Sequence, residues 1–343
     1  MILSPLSRRR VFLLLITCCA LLVSRVSQAH EVEAASAYYA DEKLSSIGTS
    51  VTGSGTTDQI FEGAGRKSSA RVGLSYKTVS LQDEKLAKDF GAASYSQTSA
   101  NVSLDQGIRV GTQAGASFGI TSLPTAQTTW VGLRLGEWWR QETFQTVVEA
   151  RYTATTREAK EGTDTDGVLI RVPSDLTGLN LGLNMTHFTT PSTILKGGFS
   201  WTQRSDRPNA WAANGEVRQY ISMTRSAVHA GFGHYENVGQ IEPVTYDGQV
   251  IANTGKIEWH QRLWSKFAAT GGYRLYVESE KPRAADASTK QLGTDYIYGT
   301  LRWRYGSPTW VADSDEIYGF FGRYTTNEPL TGMLVGIGGK IFF

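Results

Sequence analysis

Leu330 to Phe343 read LTGMLVGIGGKIFF. Counting back by twos from Phe343 gives Ile341, Gly339, Ile337, Val335 and Met333, an almost wholly apolar set. The alternate set is Phe342, Lys340, Gly338, Gly336, Leu334 and Gly332, small or charged apart from Leu334 and Phe342. A period of two means an extended strand with one greasy face. A soluble chain seldom finishes on its most apolar strand, because termini fray into water. A barrel closed within a bilayer can do so, since its last strand pairs with its first and its outer face meets lipid.

This ending resembles the terminal strand of bacterial outer-membrane β-barrel proteins, which close on Phe after apolar residues at alternate positions. Ile337, Gly338, Ile341 and Phe343 carry the resemblance, and Gly336 stands where that family more often has a polar residue. The resemblance implies residence in the outer membrane of a Gram-negative bacterium. It also implies that barrel-assembly machinery reads this strand as an insertion signal.

The opposite end has a different character. Arg8, Arg9 and Arg10 precede an apolar run from Val11 to Val23, and Ser27 and Ala29 occupy the small-residue positions of a cleavage site. Residues 1–29 therefore read as a cleaved signal peptide, the apolar run being shorter than the ~20 residues of a helical span. Cleavage would remove both cysteines, Cys18 and Cys19, so no disulfide is expected. It would also take four of the 34 basic residues and none of the 32 acidic ones. The resulting balance argues against a nucleic-acid partner. A negative mean hydropathy alongside 36 Gly, 15 Tyr and 9 Trp is the composition of strands half in lipid and half turned to a polar interior.

Residues 30–66 are rich in Gly, Ser and Thr and read as a polar periplasmic lead-in or a lumen plug. From about Lys67 the text alternates strand-like runs with turn signals. Fourteen strands fit residues 67–343, with twelve to sixteen allowed by uncertain boundaries. Long links such as LQDEKLAKDFGA, ENVGQIEPVTYDG and SEKPRAADASTKQ alternate with tight ones at LDQG, WRQE, TRSA and WSK. Segregation of long from short connections is the pattern of an up-and-down transmembrane barrel with short periplasmic turns and long outer loops. Trp138, Trp139, Trp264 and Trp310 fall at links assigned to the periplasmic side and Trp130, Trp201 and Trp211 near links assigned to the outside, as two interfacial girdles would. The expected fold is thus all-β, a single antiparallel barrel.

Phase then sorts the wall. An ionised side chain facing lipid costs ~2–4 kcal/mol at the midplane, so charged positions are assigned inward. The inward set is Arg109, Arg134, Arg151, Lys196, Glu216, Arg218, Lys256, Glu258, His260, Arg274, Arg302, Arg304 and Lys340, with Arg71 and Glu149 beside them. A wide cylinder lined in this way holds water, and its basic excess favours anions. The same residues could instead pair across strands as structural ladders.

The sequence presents no catalytic set. His229 falls in the lumen phase, and His234 faces lipid with no Ser partner to complete a hydrolytic triad. GTDTDG at 162–167 fails the calcium-loop pattern, with Gly162 at the opening acid and Pro173 at the closing one. No phosphate loop or metal-ligand spacing stands in the text, so no cofactor and no metal are expected. The expected function is passive passage of small hydrophilic solutes through an outer-membrane channel with a mild anion preference, without enzymatic activity. Its expected partners are membrane lipid, the assembly machinery and the solutes. Two other readings are a transporter of apolar molecules with residues 30–66 as plug, and a non-transporting surface barrel. The first is similar in architecture to the long-chain fatty-acid channels, though none of their sequence motifs is present.

Overall fold

A computed structural model describes residues 28–57, 68–84, 93–109, 111–124, 126–139, 143–157, 160–163, 169–172, 175–205, 209–238, 249–281, 290–304, 315–327 and 330–342. The strands are β1 (Gln28–Ala40), β2 (Leu44–Thr57), β3 (Ser68–Leu81), β4 (Ser94–Arg109), β5 (Thr112–Ser122), β6 (Ala126–Trp139), β7 (Phe144–Arg157), β8 (Lys160–Thr163) and β9 (Leu169–Val172). They continue as β10 (Asp175–Thr190), β11 (Thr193–Arg204), β12 (Asn209–Ile221), β13 (Ser226–Val238), β14 (Gln249–Arg262), β15 (Phe267–Lys281), β16 (Lys290–Arg304), β17 (Glu316–Thr326) and β18 (Thr331–Phe342). Sixteen of them form one closed antiparallel barrel in which every strand pairs with its sequence neighbour, and β10 follows β7. β8 and β9 are a separate hairpin within the connection from β7 to β10. Closure leaves no open edge, which is the condition for spanning lipid with strands.

The expectation of fourteen strands is corrected to sixteen, and the two additional ones come from the segment read as a lead-in or plug. β1 pairs with β18 from Glu31↔Phe342 to Ala40↔Met333 and with β2 on its other side. The partner of the terminal strand is therefore β1, not a strand beginning near Lys67. The reason the segment reads as loop is its side chains. The outward positions of β2 are Ile47, Thr49, Val51 and Gly53, and those of β1 include Ala34 and Ser36. Backbone hydrogen bonds hold such strands in the wall even where the greasy alternation is faint. The β1–β2 turn is fixed by Asp41, whose Oδ1 accepts the N–H groups of Lys43 and Leu44, both at 2.7 Å.

A second correction concerns LDQG at 104–107. It lies inside β4, and the chain reverses between Arg109 and Thr112, which pair with each other, with Gly111 at a φ of +84°. A left-handed backbone angle is open to glycine without a Cβ penalty.

The outer wall is the apolar one. Leu133 is 62% exposed, Ile337 61% and Phe321 60%, while the buried hydrophobic residues among those described are all Val, Leu or Ala. A globular core is thus inverted into a belt, as a lipid solvent requires. Met333, Val335, Ile337 and Ile341 of β18 all belong to that belt. Trp139, Trp259, Trp264 and Trp303 are outward-exposed near the rim where β1 begins and β18 ends, here the terminal rim. Trp130 and Trp138 are not girdle residues: they share the inward face of β6 with Arg134, and Trp138 stacks on Phe188 at 6.0 Å. Adjacent residues of a strand point to opposite sides, so Trp138 and Trp139 cannot both face lipid. Residues 1–27, Trp310, Phe343 and 164–168 of the calcium-like stretch lie outside the described residues.

Candidate functional site

The inward face of the sixteen strands is the candidate site, and its residues come together by register rather than by sequence proximity. Arg134 of β6 forms an ion pair with Asp105 of β4, its Nε 2.6 Å from Oδ1. The Arg151 guanidinium of β7 lies 4.4 Å from the centre of the Trp130 ring. These groups, with Glu149, Asn101, Ser103 and Asn180, line a recess of about 430 Å³ in the inner wall. Lys256 Nζ is 2.5 Å from Glu216 Oε2 across β12 to β14. Arg302 and Arg304 both address Glu316, at 3.3 and 3.5 Å. Lys340 Nζ lies 2.7 Å from Glu31 Oε1, a contact that staples the seam between β18 and β1. Arg218 stands opposite His229, Lys196 opposite Glu216 and Arg274 opposite Lys256 in the strand register. The side chain of Arg109 lies outside the described residues.

Ladder and lining are therefore not alternatives. The paired carboxylates orient the basic heads, and Arg134 and Arg302 keep nearly half of their side-chain surface exposed while paired. Asp105, Glu31 and Glu316 were not part of the sequence-derived inward set. Glu31 was missed because β1 was read as a lead-in, and Asp105 because LDQG was read as a turn. Their presence reduces the basic excess of the lumen.

Half a ring away from the recess, the inner wall is aromatic. Tyr296 and Tyr298 of β16 stack at 5.1 Å, Tyr318 and Phe320 of β17 meet at 6.3 Å, and Tyr39 stacks on Tyr324 at 5.9 Å. Each of the rings on β16 and β17 lies across a glycine of the adjoining strand. Tyr298 covers Gly272, Tyr296 covers Gly322, Tyr318 covers Gly338, Phe320 covers Gly336 and Tyr324 covers Gly332. The hydroxyls are tied to acids: Tyr318 donates to Glu33 at 2.6 Å, Tyr298 to Glu258, and Tyr324 to Asp41 at 2.7 Å. Burial raises the affinity of the Asp41 carboxyl for its proton, yet the Tyr39 and Tyr324 hydroxyls and the turn N–H groups outweigh it. The net effect holds that carboxyl below its ordinary value.

Two histidines also gather on the inner wall. His229 and His260 have ring centres 4.2 Å apart, and Glu258 stands directly opposite His229 in the register, two residues before His260 on β14. The sequence offered only Glu258 and His260 at alternate positions of one strand; their third member sits 29 residues away from Glu258 in the chain and required the β13–β14 register. His234 is on the outer face, with Nδ1 2.8 Å from Asn253 Oδ1 and its ring against Trp211.

No family model matches this sequence, and no curated protein matches it. Solved structures do match in fold. One is a bacterial polysaccharide outer membrane secretin, with a TM-score of 0.53 and 9% identity over 93% of this chain and 99% of the other. Another is CdiB from Acinetobacter baumannii, with a TM-score of 0.56 and 11% identity over 92% of this chain and 60% of the other. At such identity the likeness is one of architecture. The shared architecture is the outer-membrane β-barrel, and with its apolar belt this chain is an outer-membrane protein of a Gram-negative bacterium.

Proposed function

We propose that the barrel is a passive channel for small hydrophilic solutes with a mild preference for anions. The general channel role rests on a closed wall of sixteen strands, since barrels of that width leave an aqueous passage where eight-strand barrels are filled by side chains. The anion preference rests on one observation: among the described residues the inward face carries more basic than acidic side chains, and at Glu316 two of the basic ones, Arg302 and Arg304, meet one carboxylate. A low-dielectric wall focuses the field of that basic excess into the lumen. The plugged transporter of apolar molecules has lost its plug, because β1 and β2 are used in the wall. No bond-making step belongs to this reading, and the proposed partners are membrane lipid and the solutes themselves.

We further propose that β18, with Ile337, Gly338 and Ile341, together with the Phe343 that follows it in the sequence, is the segment that assembly machinery recognises. Its alternating exposed face supports this.

The test of the channel is the purified full chain in planar bilayers under a potassium chloride gradient. The expected result is salt-dependent conductance with a reversal potential on the anion side. Replacing both Arg302 and Arg304 by Gln should shift that potential toward cations. A folded protein that never conducts at any voltage overturns the channel; conductance with unchanged selectivity in the double variant overturns the anion argument alone.

A further inference from the structure

The inward cluster near the terminal rim has the dimensions of a metal site. Nδ1 of His229 lies 3.3 Å from Oε2 of Glu258 and 3.2 Å from Nε2 of His260. The third side, from His260 Nε2 to Glu258 Oε2, is 3.7 Å. A tetrahedral ion held at ~2.0–2.1 Å keeps its ligand atoms about 3.3–3.4 Å apart. The triangle of donor atoms already has that scale, and all three belong to half-buried residues on the inner wall.

We propose that His229, Glu258 and His260 bind a divalent transition ion of the zinc class, with its fourth position open to the lumen. Two imidazoles and one carboxylate suit such an ion, whereas calcium and magnesium prefer oxygen ligands alone. The surroundings orient two of the ligands. Nδ1 of His260 lies 2.9 Å from Thr270 Oγ1, and a proton there leaves the lone pair on Nε2, the nitrogen aimed at the cluster. The Tyr298 hydroxyl donates to the other oxygen of Glu258, which leaves Oε2 for the ion. On His229 the ion takes Nδ1, and the buried Nε2 carries the proton. The charges around the cluster oppose an incoming cation. Arg218 stands across from His229, and Lys256 and Arg302 act on the cluster from the same wall, Lys256 held by Glu216 and Arg302 sharing Glu316 with Arg304. These cations weaken the site relative to the same ligands in neutral surroundings.

Without an ion the same three atoms can be joined by shared protons, so the experiment has to count ions. The full chain, without a histidine tag, is folded in detergent and stripped with a chelator. It is then titrated with zinc by calorimetry and with cobalt by visible absorption. One zinc per chain and the intense visible bands of tetrahedral cobalt are expected. Glu258→Gln and His260→Gln should each weaken zinc binding at least tenfold, while the outward-facing changes His187→Gln and His234→Gln leave it unaltered. Folding of each variant is checked by its heat-dependent electrophoretic mobility, and His229→Asn replaces either lumen variant that does not fold. Absence of saturable zinc binding by the folded wild type overturns the site, as does binding that survives the lumen changes. Neither result depends on whether the barrel conducts.

Discussion

Gly336 illustrates how a single atom is decided by its neighbours. A Cβ there would overlap the Phe320 ring and stand 2.6 Å from the backbone oxygen of Ser36 on β1. The ring could swing aside, but the carbonyl belongs to the strand that closes the barrel. Gly336→Ala is expected to destabilise the fold by about 1–3 kcal/mol, the range of overpacking a filled site. Gly255 and Gly271 are the contrast: nothing lies within 4 Å of a Cβ at either. Gly255→Ala should be neutral or slightly stabilising, because alanine loses less backbone freedom on folding. Urea unfolding in detergent measures both, and equal losses for the two variants would refute the packing argument. The composition reports 36 glycines without separating these roles.

At the scale of the element, β18 combines two demands. Its odd positions supply lipid-facing residues, and its even positions, apart from Leu334, Lys340 and Phe342, are the glycines over which Tyr318, Phe320 and Tyr324 lie. Ile337 sits in the middle of the strand and is 61% exposed, whereas Ile341 is close to the terminal rim. Ile337→Arg is therefore expected to cost about 2–4 kcal/mol and Ile341→Arg only ~0–1 kcal/mol, following the depth dependence of charge on a lipid face. Measured by unfolding from lipid vesicles, the reverse order would mean that the belt is centred elsewhere. The alternation that sets this strand's phase is complete in the sequence. Which glycine receives which ring is not, because the pairing Tyr318↔Gly338 joins separate strands by a register of the sheet.

For the whole molecule, the decisive region is residues 28–57. As a plug, it could be removed with gain of conductance; as β1 and β2, it is part of the ring. Deletion of 28–57 is expected to abolish the heat-dependent mobility shift of the folded barrel and to leave no channel activity. An enlarged, stable pore would contradict closure through β1 and β18. The consequence follows from edges: removing two strands leaves β3 and β18 with unpaired backbone groups facing lipid, each of which costs several kcal/mol.

The sequence by itself determined the all-β class, the lipid-facing phase of β18 and its neighbours, and the inward direction of Arg134, Arg151, Lys256 and Arg302. Those properties follow from a period of two and from the cost of charge in hydrocarbon, both of which are local in the chain. Closure by β1, the sharing of Glu316 by two arginines and the meeting of His229 with Glu258 and His260 were decided only by tertiary structure. Each depends on which strands lie side by side and in what register. β1 and β2 enter the wall through backbone hydrogen bonds, whose energy is almost indifferent to the side chains of Ser, Thr and Gly.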